Sequence, residues 1–173
     1  MKRVHYFYEG ETEEKLLQLL KDKKDITPGR LRKHNLWTTE FKRIERTVNK
    51  VDQLFFFIDT DAMRNLSIFT KNITQLKPYN IRLMVQHKNL EDELCFSCGK
   101  NSPSALFKGF YDTTSATEFK TRFNNDNSLQ QKLAANNFDY KKLWSRETVF
   151  NAFLTSKGIS SQTLYSIKKP LKK

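Results

Sequence analysis

Acidic residues in this sequence stand directly behind its most apolar short segments. Glu9-Gly10 follows Val4-His5-Tyr6-Phe7-Tyr8, and Asp59-Thr60-Asp61 follows Leu54-Phe55-Phe56-Phe57-Ile58. A third apolar run, Ile81 to Val85, leads into His87 and Lys88, with Glu91 four residues beyond His87. Glu9 and Glu13 are also four apart, a spacing that brings two side chains together when the second lies in the first turn of a helix. Carboxylates gathered within a few ångströms raise one another's pKa and destabilise a fold unless a cation neutralises them. An all-oxygen donor set suits Mg²⁺ or Mn²⁺, with phosphate oxygens completing the shell. The chemistry implied is phosphoryl transfer or phosphodiester cleavage, with Glu9, Glu13, Asp59, Asp61 and Glu91 as the candidate acids and His87 and Lys88 beside them at a strand end. The plainer alternative is that acids at strand ends and helix starts act as caps and dipole partners. It applies most directly to Glu13, Glu14 and the run Glu91-Asp92-Glu93, as a plain strand-end histidine does to His87.

The elements that must position these acids follow from periodicity. Val4 to Tyr8 reads as a strand, and Glu11 to Leu20 as a helix with leucines behind an acidic first turn. Pro28-Gly29 breaks the chain, Arg30 to Leu36 reads as a short edge strand, and Thr38 to Asn49 has Phe41, Ile44 and Val48 on one helical face. Gln53 to Ile58 is a continuous apolar run, as in a parallel strand buried on both sides. Asn65 to Leu76 carries Leu66, Phe69, Ile73 and Leu76 at helical spacing, Pro78 ends it, and Ile81 to Val85 is the next strand. Such alternation predicts an α/β fold: an open, mostly parallel four-stranded sheet with flanking helices. From Asn89 onward only helical patterns occur, at Leu90–Phe96, Ser104–Tyr111, Thr117–Phe123, Leu129–Ala135, Tyr140–Leu143 and Thr148–Leu154. The expected organisation is therefore an α/β core over 1–98, a helical C-terminal extension over 99–173 packed on it, and a basic tail at 167–173. Parallel strands point their C-terminal ends at one edge, so the acids are expected to share a rim.

The chain has 173 residues, 31 Lys and Arg against 19 Asp and Glu, and a formal net charge of +12. This is room for one compact domain, and the charge favours a polyanionic partner. With 38% apolar residues the composition excludes wholesale disorder, and the lack of a run of about 18 apolar residues excludes a membrane span. Met1-Lys2-Arg3 does not lead into a signal-peptide core, so a cytoplasmic protein with reduced thiols is expected. Cys95 and Cys98 lack a second ligand pair at zinc spacing. Basic residues that would flank the acids and meet a phosphate backbone include Arg30, Arg32, Lys33, Arg64, Lys108, Lys120 and Lys141, many of which also suit plain solvated faces. Of the aromatics, Trp37 and Tyr111 sit next to polar loops and are expected to be exposed for base stacking.

A strand, then Glu9-Gly10 and a helix, then an apolar strand ending in Asp59-Thr60-Asp61, resembles the Toprim domain. The string Tyr8-Glu9-Gly10-Glu11-Thr12-Glu13 is most similar to the stand-alone Toprim proteins of the RloB type and the Toprim nucleases of the OLD family. The resemblance covers about residues 4 to 98. It implies Glu9 as general acid or base, Asp59 and Asp61 as holders of divalent metal, and Glu13 as the additional metal-side acid of the nuclease branch. Leu90-Glu91-Asp92-Glu93-Leu94-Cys95-Phe96 partly matches a later acidic helix, which implies a role for Glu91. Lys88, Lys100 and Lys108 are positional candidates for a late lysine. No Gly-x-x-x-x-Gly-Lys string occurs, so an ATPase partner of the kind such proteins use would be a separate chain. The activity implied is a Mg²⁺- or Mn²⁺-dependent nuclease on DNA or RNA, of phage-defence or toxin type. The alternative classes are a non-catalytic basic nucleic-acid-binding module with a vestigial acid site and a small-molecule phosphohydrolase.

Overall fold

A computed structural model describes residues 2–61, 63 and 65–159. Arg64 and the tail at 167–173 lie outside the described residues. Four strands, β1 (Val4–Tyr8), β2 (Arg30–Lys33), β3 (Gln53–Ile58) and β4 (Asn80–Val85), form one open sheet in the order β2-β1-β3-β4. Every pairing is parallel, with Phe7 level with both Arg32 and Phe56, and Phe56 with Leu83. The connections run through helices α1 (Glu11–Asp22), α2 (Lys42–Glu45) and α3 (Leu66–Leu76). The helical half then supplies α4 (Leu90–Ser97), α5 (Pro103–Tyr111), α6 (Ala116–Asn125), α7 (Leu129–Ala135), a 3-10 turn at Tyr140–Lys142, and α8 (Val149–Ser156).

The alternation of β3 explains why its run is apolar throughout. Phe55 and Phe57 face one side of the sheet with Tyr6, Tyr8 and Met84, where they meet the leucines of α1 and the buried residues of α4 to α7. Leu54, Phe56 and Ile58 face the other side with Phe7, against Trp37, Phe41, Phe69, Ile73 and residues of α8. Each of the three phenylalanines is about 1% exposed, and burying such a side chain contributes roughly 1.5–3 kcal/mol. The C-terminal helices thus share a continuous apolar layer with the sheet. No helix among the described residues is long and apolar enough to cross a membrane. Cys95 and Cys98 are free, buried thiols, which burial pushes up to about 11 and about 12 respectively.

Two local expectations are corrected. The segment read as a helix over Thr38 to Asn49 holds only the single turn of α2, because side chains meet its backbone groups instead. Asn72, fully buried on α3, accepts from the Phe41 N–H at 2.7 Å and donates to the Leu36 and Thr39 carbonyls, both at 2.9 Å. Trp37, expected to be exposed, is 1% exposed and stacks on Phe69 at 4.2 Å between ring centroids. Phe150 of α8 also lies against it, at 5.3 Å between ring centroids, so the aromatic layer beneath the sheet covers it. Leu66, by contrast, is half exposed although it fits the apolar face of α3.

Asn72 thereby ties the segment carrying Trp37 to α3. Asn72→Ala leaves one buried N–H and two carbonyls without their partner and is expected to lower stability by about 2–4 kcal/mol in urea denaturation. A loss under about 0.5 kcal/mol would show that water replaces the amide.

Candidate functional site

All four strands end at the same rim. The chain leaves β1 toward β2 on one side and reaches β4 from β3 on the other, so the order reverses between β1 and β3 and opens a crevice there. Glu9 follows β1 and Asp59 follows β3, one on each side of that reversal. The crevice is a cleft of about 620 Å³ lined by Glu9, Glu13, Asp59, Asp61 and Glu91, with Glu11 beside them. Lys33 and Asn35, just past β2, also line it, and α6 forms a wall with Thr117, Lys120 and Thr121.

Neutral polar groups hold the acids in place. Asn35 donates from Nδ2 to Glu9 Oε2 at 2.5 Å, and its own Oδ1 accepts from the Trp37 and Thr38 backbone N–H groups. The Trp37 indole N–H donates to the Asp59 carbonyl at 2.9 Å, fixing the first residue past β3. Gln86, buried just beyond β4, donates from Nε2 to Asp59 Oδ1 at 2.6 Å and lies 3.2 Å from Glu13 Oε1 with the same nitrogen. Gly10 precedes α1 in extended backbone, and a Cβ there would sit 2.7 Å from Glu13 Oε2, so this glycine leaves room for the carboxylate.

Two acids separated by one residue face opposite ways on an extended strand. Here the chain has already turned. Lys88 adopts a left-handed conformation, φ 72°, and its carbonyl accepts from both the Thr60 and Asp61 N–H groups, at 2.7 and 3.1 Å. The Thr60 hydroxyl donates to the Gln86 carbonyl and accepts from the Lys88 N–H, and Asn89 donates to Asp61 Oδ2 at 3.0 Å. Asp59 and Asp61 consequently line the same cleft.

Burial pushes the Asp59 carboxyl up to about 9, and the charges of Glu13, Glu9, Asp61 and Glu91 push in the same direction. Glu13 is likewise raised, first by burial and further by Glu91, against the opposing effects of its own backbone N–H, Gln86 and Lys120. The donor chemistry of these acids is all oxygen, the kind that suits a hard cation. Among the described residues no three acidic, histidine or cysteine side chains already converge tightly enough to enclose one. The donor set instead fits an ion such as Mg²⁺, which keeps several waters and takes one or two carboxylates at a time. The Oε1 atom of Gln86 is buried with no hydrogen-bond partner among the described residues.

Of the residues singled out in the sequence, Glu9, Glu13, Asp59, Asp61 and Glu91 are brought together, whereas His87 and Lys88 do not line the cleft. His87 places Nδ1 3.0 Å from Asp92 Oδ2, and its N–H donates to Glu93, so it belongs to a neighbouring cluster with Arg146. Lys88 contributes its backbone. Arg30, Arg32, Lys108 and Lys141 lie outside the lining, and of the basic residues Lys33 and Lys120 reach it. Tyr111 is half-buried, its hydroxyl donating to Asp126 at 2.9 Å. Asn35, Gln86 and Asn89 were missed, although each stands within four residues of a strand end and is findable once all four ends are read together. In comparisons with known proteins, no family model, curated protein or solved structure matches this chain.

Between about pH 4 and pH 9 the folded state retains an Asp59 proton that the unfolded chain releases, so without divalent ions stability falls as pH rises through that interval. Asp59→Asn keeps an acceptor for Gln86 and removes this loss. Its Tm is expected to match wild type near pH 4 and to exceed it by roughly 5 °C at pH 8 in EDTA. A Tm difference independent of pH would show that Asp59 ionises freely.

Proposed function

We propose that the cleft is the site of a divalent-cation-dependent phosphodiesterase, a nuclease of the Toprim type acting on DNA or RNA. The observation that carries this reading is the convergence of Glu9, Glu13, Asp59, Asp61 and Glu91 on one crevice at the strand-order reversal, in a chain of net charge +12. The excess positive charge draws a polyanion to the molecule, while the acids mark the place where a cation and a phosphate meet. When bound, a divalent ion would supply charge stabilisation at phosphorus and a more acidic water, with Asp59, Asp61 and Glu91 as the residues to hold it.

The chain's own groups do the rest. Water oxygen forms the new bond to phosphorus as the bond to the leaving oxygen breaks. Glu9, oriented by Asn35, holds or moves the proton that passes from the one to the other. Gln86 keeps Asp59 and Glu13 at fixed positions, which limits reorganisation during the step. Lys33 and Lys120, at the edges of the lining, meet the flanking phosphates. A cytoplasmic setting, a phage-defence or toxin role and a separate ATPase partner belong to this reading through the resemblance alone.

Labelled single- and double-stranded DNA and RNA, incubated with Mg²⁺, Mn²⁺ or EDTA, test it directly. Cleavage is expected only with metal, and Glu9→Gln and Asp59→Ala are each expected to reduce it by about 100-fold or more while leaving binding in place. Binding without cleavage under every metal, falling steeply with salt, would favour the non-catalytic nucleic-acid-binding module instead.

A further inference from the structure

Glu91 is a cleft acid with a cation already beside it. Its side chain is 8% exposed, and Lys120 Nζ lies 3.3 Å from its Oε1, on a side chain that is itself about half exposed. The two come from different parts of the fold: Glu91 from the first turn of α4, and Lys120 from the middle of α6. The packing behind Lys120 accounts for its position. Phe119 and Phe123 are fully buried, and Phe119 lies against Phe107 of α5 at 4.6 Å between ring centroids. Those anchors turn the opposite face of α6, with Thr117, Lys120 and Thr121, toward the acids.

A nearly buried carboxylate next to other carboxylates requires a counter-charge. Lys120 provides one, yet an ammonium at that place also repels a divalent ion and occupies the Glu91 oxygen that would bind it. We propose that Lys120 is an exchangeable counter-ion: it neutralises Glu91 while the cleft lacks a divalent cation, and is displaced when the cation binds. Its flexible stem then carries the released ammonium toward the mouth of the cleft, where it meets a substrate phosphate. The inference rests on the metal-site reading above. The donor chemistry of Glu9, Glu13, Asp59, Asp61 and Glu91, all oxygen, is what that reading stands on.

The test is Mn²⁺ binding followed by electron paramagnetic resonance, without nucleic acid and at constant ionic strength, on wild type, Lys120→Met, Lys120→Arg, Glu91→Gln and the Lys120→Met/Glu91→Gln double variant. Lys120→Met is expected to bind Mn²⁺ roughly five-fold more tightly, because the ion no longer has to break an ion pair of two unit charges about 4 Å apart in water-like surroundings. Lys120→Arg, which keeps the charge, should stay near wild type, and the gain should vanish in the Glu91→Gln background. Far-UV circular dichroism of each variant checks that α6 is retained. Unchanged or weaker binding by a folded Lys120→Met protein overturns the exchange, as does an equal gain with Glu91 replaced, which would reflect only the general field. Absence of Mn²⁺ binding in wild type and variants alike overturns the metal-site reading, and this inference with it.

Discussion

Carboxylates brought together in a partly dry cleft repel one another, and much of the structure around the strand ends answers that repulsion. Asp59 does so by holding its proton to about pH 9. Gln86 places one amide nitrogen between Asp59 and Glu13, while Asn35 donates to Glu9 and Asn89 to Asp61. Glu91 has a full positive charge paired with it, from Lys120. Neutral donors orient the acids without cancelling their charge, whereas arginines in the same places would have cancelled it.

The neighbouring acids of α4 show the opposite solution. Asp92 and Glu93 both pair with Arg146, and Glu93 also accepts the Trp144 and His87 N–H groups while fully buried. Trp144 adopts a left-handed conformation, φ 53°, and packs its ring 4.6 Å from Phe57 between centroids. The strain of about 1 kcal/mol at such a residue is held by these contacts. Three consecutive acids are thus divided by function: Glu91 faces the cleft, and the next two fasten the C-terminal segment to the sheet. That segment and α6 are as much a part of the site as the strands, because without them the cleft loses one wall and Glu91 its counter-charge.

Local rules carried far where the pattern was strong. The unbroken apolar run of β3 and the leucines of α1 could hardly be anything but a two-sided strand and a covering helix, and the acids behind the strands followed from parallel topology. The same rules failed at Trp37 and over Thr38 to Asn49, where a distant residue, Asn72 on α3, holds the Phe41 N–H and the Leu36 and Thr39 carbonyls. They also failed to separate Glu91 from Asp92 and Glu93, since periodicity places residues on faces without saying what each face meets.

The sequence by itself determined the alternating elements, the parallel sheet and the shared rim of acids, because side-chain periodicity and the one-way run of parallel strands depend only on local order. Tertiary structure alone decided how those acids are held and countered. The turn that swings Asp61 beside Asp59 needs the Lys88 carbonyl, the spacing of Asp59 and Glu13 needs Gln86, and the charge facing Glu91 needs a helix about thirty residues farther on. Each is a contact across elements, set by how the helices pack on the sheet, and no local propensity encodes it.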